Sequence, residues 1–196
     1  MKLSDDLKAY RTYNEQEEID RRVMLLFLET QPDCLSRNNL TAHFTASSWV
    51  LNKDHSKVLM IFHNIYNSWS WTGGHADGQE DLCAVAIREV KEETGVTHIR
   101  LLKDGIFSVE TLVVEGHEKK GRYVPSHLHL NVTFLLQADE TQTLSIKPDE
   151  NSGVAWFTPE GAVAASNEPW MQERIYTKLN KKLFLEKALY ELKNPG

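Results

Sequence analysis

Cysteine is nearly absent: Cys34 and Cys83 are the only two in 196 residues. Two thiols cannot frame a disulfide scaffold, and without a CxxC pair there is no signature of structural zinc. No apolar run approaches the roughly 18 residues of a membrane span. The opening stretch, MKLSDDLKAY, lacks an apolar signal core and meets acids by Asp5. Together these absences make a reducing, cytoplasmic setting the expectation, with no membrane partner. Positive charge is also in short supply, because 22 Lys and Arg against 28 Asp and Glu leave a formal net charge of -6. Nucleic-acid backbones attract basic surfaces, so the acid excess argues against non-specific nucleic-acid binding as the main job. Repeats and low-complexity tracts are missing as well. What remains is 41% hydrophobic and 26% charged, the composition of an ordinary globular chain. Its length suits one domain with extensions and is ample for a core.

The pattern along the chain divides it in three. Residues 1–40 read as a helical extension. Asn14-x-x-Glu17 is a capping-box variant, and Ile19, Val23 and Leu26 recur behind it at helical spacing until Pro32 and Asp33 stop the helix. Residues 41–165 alternate strands with one long helix. HFTASSWVLN and KVLMIFHN are β-branched and aromatic runs joined by an Asn52–Lys53–Asp54 turn, and SWSWTGG is a third extended piece. A helix is expected from about Asp81 to Thr94, then strands at GIFSVETLVV and SHLHLNVTFLL around a GHEKKGRY turn. LSIKPDENSGVAWFTP reads as a short strand, a polar loop and another strand. Residues 166–196 form a second helical extension, entered at Ser166–Asn167–Glu168–Pro169, with Met171, Ile175 and Leu179 at helical spacing. The extensions are expected to cap the sheet, shape a pocket or build a homodimer interface.

Chemistry concentrates between Gly73 and Val96, GGHADGQEDLCAVAIREVKEETGV. Asp81 or Glu80 opens a helix where acids favour the dipole, and Gly95 closes it as a left-handed stop. Cys83, Ala86, Ile87 and Val90 fall within about 100° of one another and form the expected core stripe. Glu89, Glu92 and Glu93 occupy a second face at i, i+3, i+4. Like charges at that spacing destabilise a helix, and a divalent cation removes the cost. Carboxylate-rich sites suit Mg²⁺ or Mn²⁺. Arg88 lies among the acids and can orient one through a bidentate pair.

The full spacing is G-x5-E-x7-R-E-U-x-E-E-x-G-U, with U a bulky aliphatic residue. It is met by Gly74, Glu80, Arg88, Glu89, Val90, Glu92, Glu93, Gly95 and Val96. At roughly 6% per residue type, seven such identities arise by chance on the order of 10⁻⁹ times per start position. The segment resembles the Nudix box, the signature of the Nudix hydrolase family. The resemblance implies an α/β/α sandwich around a mixed sheet, with the box as a loop–helix–loop. It implies hydrolysis of a pyrophosphate bond in a nucleotide, or in a nucleoside diphosphate linked to another moiety, with Mg²⁺ or Mn²⁺. By position, Glu89, Glu92 and Glu93 are implied metal ligands, with the Gly74 carbonyl as a backbone ligand. Arg88 is implied to orient a carboxylate, and Glu80 to support the network.

The proton of the attacking water is expected to pass either to one of the box glutamates or to a carboxylate outside the box; the best outside candidate is Glu150, in the polar loop before the strand around Trp156, with Asp149 a weaker one. His127 and His129 share one side of a strand and are candidates for contact with phosphate or base. A zinc site would need further ligands, and none is evident at paired spacing. His75 directly follows Gly74 and is a third substrate candidate. Trp71 alternates with Trp69 and is a stacking candidate or a core residue. Lys119, Lys120 and Arg122 form a basic turn. Two rivals remain: a catalytically silent nucleotide-binding sensor, and an isoprenoid diphosphate isomerase-like enzyme. The isomerase would need a cysteine in its pocket, and Cys83 lies on the expected core stripe.

Overall fold

The computed structural model describes residues 2–119 and 121–193, so Lys120 of the basic turn lies outside the described residues. The chain begins with helices α1 (Lys2–Ala9) and α2 (Glu15–Thr30), then strands β1 (Ala42–Leu51), β2 (Val58–His63), β3 (Ser68–Ser70) and β4 (Thr72–His75). Helix α3 (Leu82–Thr94) is followed by β5 (Ile99–Leu101), β6 (Ser108–Val114), β7 (His117–Lys119), β8 (Arg122–Val124), β9 (His127–Ala138) and β10 (Asn151–Phe157). Helix α4 (Pro159–Ala165), a π-helical turn (Met171–Tyr176) and α5 (Thr177–Lys193) close the order. No helix among the described residues is long and apolar enough to cross a membrane.

The strands form one mixed sheet, with β7 and β8 a separate hairpin. Its spine is β10-β2-β1-β9-β5, and β3, β4 and β6 branch onto β2, β1 and β9. The central pair, β1 and β9, runs parallel, with His43 opposite His129 and Thr45 opposite Asn131. β4 lies antiparallel on β1, placing Gly74 opposite Ala46. Period-two alternation sends the apolar residues of β1 to both faces. Phe44, Ala46 and Val50 join a core with Val85, Ala86 and Val90 of α3 and Leu7 and Met24 of α1 and α2. Trp49 and Leu51 join a second core with Ala162 of α4, Ile175 and Tyr176 of the π-helical turn, and Leu179 of α5. Helices therefore cover both faces of a mixed sheet, as the box resemblance implies.

Several local expectations are revised. Leu144–Lys147 is coil rather than strand, and the GHEKKGRY turn is itself the β7–β8 hairpin. The expected stripe on α2 faces outward: Ile19, Val23 and Leu26 are exposed, while Glu17 and Met24 are buried. Periodicity reveals an apolar stripe but not which side the protein covers. Here the covered side is anchored by Glu17. Asn14 caps α2 by accepting from the Glu17 amide at 3.0 Å, but the Glu17 carboxylate turns inward instead of completing the box. It meets Lys182 at 2.7 Å and Lys178 at 3.1 Å, while Lys178 also meets Glu110 at 3.0 Å.

Candidate active site

Helix α3 is built as its sequence indicates. Asp81 caps it by accepting from the Ala84 amide at 3.1 Å, and Gly95 ends it in the left-handed region, φ 75°. The buried stripe is rotated from expectation to Leu82, Val85, Ala86 and Val90, and Cys83 and Ile87 are only partly covered. That rotation carries Glu89 and Glu93 to the edge of the buried face, so the three acids are not equivalent. Glu93 is 2% exposed and Glu89 8%, whereas the Glu92 side chain is 44% exposed.

The Gly73 amide donates to Glu93 Oε2 at 3.0 Å. Burial, with Glu89 and Glu150 adding to it, pushes the Glu93 carboxyl well above the usual carboxylate range. A nearby cation favours the charged form of such a group. Arg88 donates to Glu89 Oε1 at 2.8 Å, lies 3.7 Å from Glu92 Oε1, and is steered by a 2.9 Å bond to Gln79 Oε1. A Cβ at Gly74 would sit 2.4 Å from the Glu89 carboxyl carbon, so the Glu89 side chain would have to shift. Gly74→Ala is expected to displace Glu89 and weaken divalent-cation affinity at least about tenfold, read by Mn²⁺ titration calorimetry; unchanged affinity would refute that role.

The three acids, Arg88, Gly73 and Gly74 line a cavity of about 370 Å³. Seven acidic side chains line it against three basic ones, so it is a cation-seeking space. Glu150 lies on its wall, with Lys147 bridging Glu150 Oε2 at 3.0 Å and Glu92 Oε2 at 2.9 Å. Burial disfavours the Lys147 cation, but hydrogen bonds and charges from Glu92 and Glu150 outweigh this and keep it protonated. Asp149, His75, His129 and Trp71 also line the cavity. Trp71 is largely buried in the second core, edge-on to Tyr176 at 5.7 Å. His127 lies behind the wall, its Nδ1 2.8 Å from the Pro125 carbonyl. Burial drives the His129 imidazole down to about 2, with neighbouring imidazoles adding to the effect, and the His43 ring is lowered for the same first reason.

Glu80 is set apart. It is exposed and lines a different cleft, with Leu28, Pro32 and Cys34. Neither Cys34 nor Cys83 lines the acidic cavity, which removes the nucleophile that an isomerase would need. Sequence reasoning missed Lys147, Gln79 and the Arg37–Asp77 pair. Arg37 Nε donates to Asp77 Oδ1 at 2.6 Å and clamps the loop between Gly74 and α3. None of these has a local pattern; only the loop geometry brings them in.

Residues 41–179 match the family model of the NUDIX domain. The chain belongs to the Nudix hydrolase family. An RNA pyrophosphohydrolase of Pelagibacter ubique (strain HTCC1062) is 32% identical over 116 residues, 57% of this chain and 73% of that protein. Nucleoside diphosphate-linked moiety X motif 6 of Xenopus laevis is 45% identical over 49 residues, but the match spans only 23% of that protein. Among solved structures, a C. elegans Ap4A hydrolase complex superposes with TM-score 0.54 at 22% identity, covering 74% of this chain and 97% of that one. A Clostridium perfringens hydrolase of the NUDIX family gives TM-score 0.51 at 22% identity, covering 73% and 97%. At that identity the superpositions establish the fold. As a Nudix hydrolase, the chain falls among enzymes that act on pyrophosphate bonds.

Proposed function

We propose that the chain is a Mg²⁺- or Mn²⁺-dependent pyrophosphohydrolase acting on a nucleotide, or on a nucleoside diphosphate linked to another moiety. The observation that carries this reading is the buried acid pair Glu89 and Glu93, packed against the glycine strand that ends at His75. Nudix enzymes generally use divalent metals, and this donor set fits one. Three carboxylates and a backbone carbonyl are hard oxygen ligands, and the acid excess needs a counter-charge. Glu89, Glu92, Glu93 and the Gly74 carbonyl would hold the ion. When bound, it supplies charge neutralisation of the diphosphate and a lowered pKa for the attacking water.

The remaining work falls to side chains. Arg88 holds Glu89 in place through its 2.8 Å bond. Glu150, held by Lys147 on the facing loop, accepts the proton of the water that attacks phosphorus. Lys147 fixes the position of the Glu150 carboxylate through its 3.0 Å ion pair. His75, His129 and Trp71 border the space for the nucleotide or its leaving group. The acid-lined cavity repels a bare anionic diphosphate, so affinity for substrate is expected to depend on the cation.

A panel of nucleoside triphosphates, dinucleoside polyphosphates, nucleotide sugars and ADP-ribose, assayed with Mg²⁺, with Mn²⁺ and with EDTA, tests the reading. Products are identified by mass. The expected result is cleavage of at least one compound at a pyrophosphate bond, lost in EDTA and restored by either metal. No cleavage across the panel, with tight retention of one compound, would favour the silent sensor.

A further inference from the structure

Beside the acid cluster, His75 and His129 of the cavity lining are joined by His43 and His127, so that the sheet gathers four imidazoles from three strands. His43 of β1 and His129 of β9 are register partners across the parallel pair. His75 ends β4, opposite Thr45 of β1, and His127 stands two residues before His129. One ring nitrogen each of His43, His75 and His129 lies within 4.8 Å of the other two. The His43 ring centroid is 5.1 Å from His75, 5.0 Å from His129 and 4.9 Å from His127.

The tautomers follow from the neighbours. His43 Nδ1 lies 3.0 Å from the Asn39 carbonyl, which can only accept, so Nδ1 carries the proton and Nε2 a lone pair. That Nε2 is buried in a side chain 3% exposed and has no hydrogen-bond partner among the described residues. His127 repeats the arrangement: Nδ1 donates to the Pro125 carbonyl at 2.8 Å, and Nε2 lies 3.2 Å from His129 Nε2. An imidazole whose outer nitrogen donates to a backbone carbonyl is oriented as metal-ligating histidines are.

We propose that His43, His75 and His129, with His127 beside them, form a binding site for a d-block divalent cation of the Zn²⁺ type, separate from the carboxylate-held ion. Imidazole nitrogen suits zinc, nickel and copper, whereas Mg²⁺ prefers oxygen, so the two ends of the cavity select different ions. With zinc–nitrogen bonds of about 2.0–2.1 Å, tetrahedral ligands lie about 3.3 Å apart. The two facing Nε2 atoms of His127 and His129 already match that at 3.2 Å. Closing the wider triad onto the His43 ring would take side-chain rotation of His75 and His129, which are both only partly buried. Three histidines leave a fourth position toward the cavity, open to water or a phosphate oxygen. A free anion fits less well, because the inward-facing nitrogens of His43 and His127 are acceptors.

The test uses the full chain, stripped of metal and dialysed against micromolar Zn²⁺ in millimolar Mg²⁺. Bound zinc is counted by mass spectrometry, and the imidazole nitrogens are followed by long-range ¹H–¹⁵N spectra. About one zinc per chain is expected, held against Mg²⁺, with His43 and His129 resonances shifted. His129→Asn and His75→Asn should each weaken zinc about 100-fold or more. Glu92→Gln should leave the zinc count unchanged. His75 is half-buried at a strand end, so its variant keeps the test decisive if the His129 variant does not fold. Zinc displaced by Mg²⁺, zinc bound without imidazole shifts, or a His75→Asn variant with wild-type affinity would each overturn the site. No arm reads activity, so the result stands apart from the hydrolase reading.

Discussion

Glu93→Gln and Glu92→Gln variants are expected to lose about 10³-fold in turnover, equivalent to about 4 kcal/mol of barrier, while retaining the wild-type fold. Gln keeps the size of Glu but removes the charge that would hold the proposed cation. At position 93 the amide oxygen still accepts the Gly73 N–H, now at 3.0 Å. The Glu93 carboxyl is pushed well above the usual range by burial, so its replacement by a neutral group costs little stability. At position 92 the lost contacts are the partly exposed pairs with Lys147 and Arg88, together worth on the order of 1 kcal/mol. Activity and stability should therefore separate: steady-state rates collapse while thermal midpoints stay within a few degrees. A Glu93→Gln enzyme with full activity would place the chemistry elsewhere.

The second large effect concerns folding. Glu17→Gln is expected to destabilise the chain by about 3–5 kcal/mol, the cost of leaving buried charge unpaired. Glu17 Oε1 faces Lys182 at 2.7 Å and Lys178 at 3.1 Å and accepts from Ser108 at 2.8 Å. Oε2 accepts from the Tyr10 hydroxyl at 2.6 Å and the Tyr13 amide at 2.8 Å. One carboxylate thus ties α2 to β6 and α5. Burial alone would raise its pKa, but the charges of Lys178 and Lys182 and the hydrogen bonds from Lys182 and Tyr10 outweigh it and hold it at about 2, below the ordinary 4.5. A pKa depressed by folding contributes stability that is complete above 4.5 and fades as the pH falls toward about 2. The shift corresponds to about 3 kcal/mol. Urea unfolding should show a gap between wild type and Glu17→Gln at neutral pH that narrows on acidification. A gap below about 1 kcal/mol at pH 7 would mean that water reaches the network.

What could be read from the sequence followed the range of the interactions involved. Helix α3, its Asp81 cap, its Gly95 stop and the spacing of Glu89, Glu92 and Glu93 are local, and each stands where the sequence indicates. Most strands followed from alternation and turn residues, and the mixed sheet from the resemblance to the Nudix box. The burial of Glu17 did not, because its partners Lys178 and Lys182 lie on α5, more than 160 residues away. His43 and His75 were invisible as companions of His129 for the same reason, since strand register alone brings them together. Lys147 entered the cavity because Leu144–Lys147 is coil, turned back by the Lys147–Asn151 loop, rather than the short strand that its residues suggest. The missed stripe on α2 shows the limit of periodicity, which gives the angle between residues but no direction to the core.

The central claim is that the α3 acids drive metal-dependent attack of water on a pyrophosphate. Turnover of the best panel substrate in ¹⁸O-water, with Mg²⁺ and with EDTA, tests it most directly, with both products weighed. The expected result is one ¹⁸O in one phosphate-bearing product, formed with Mg²⁺ and absent in EDTA and in the Glu93→Gln variant. Cleavage that proceeds equally in EDTA, or products without ¹⁸O, would contradict the claim.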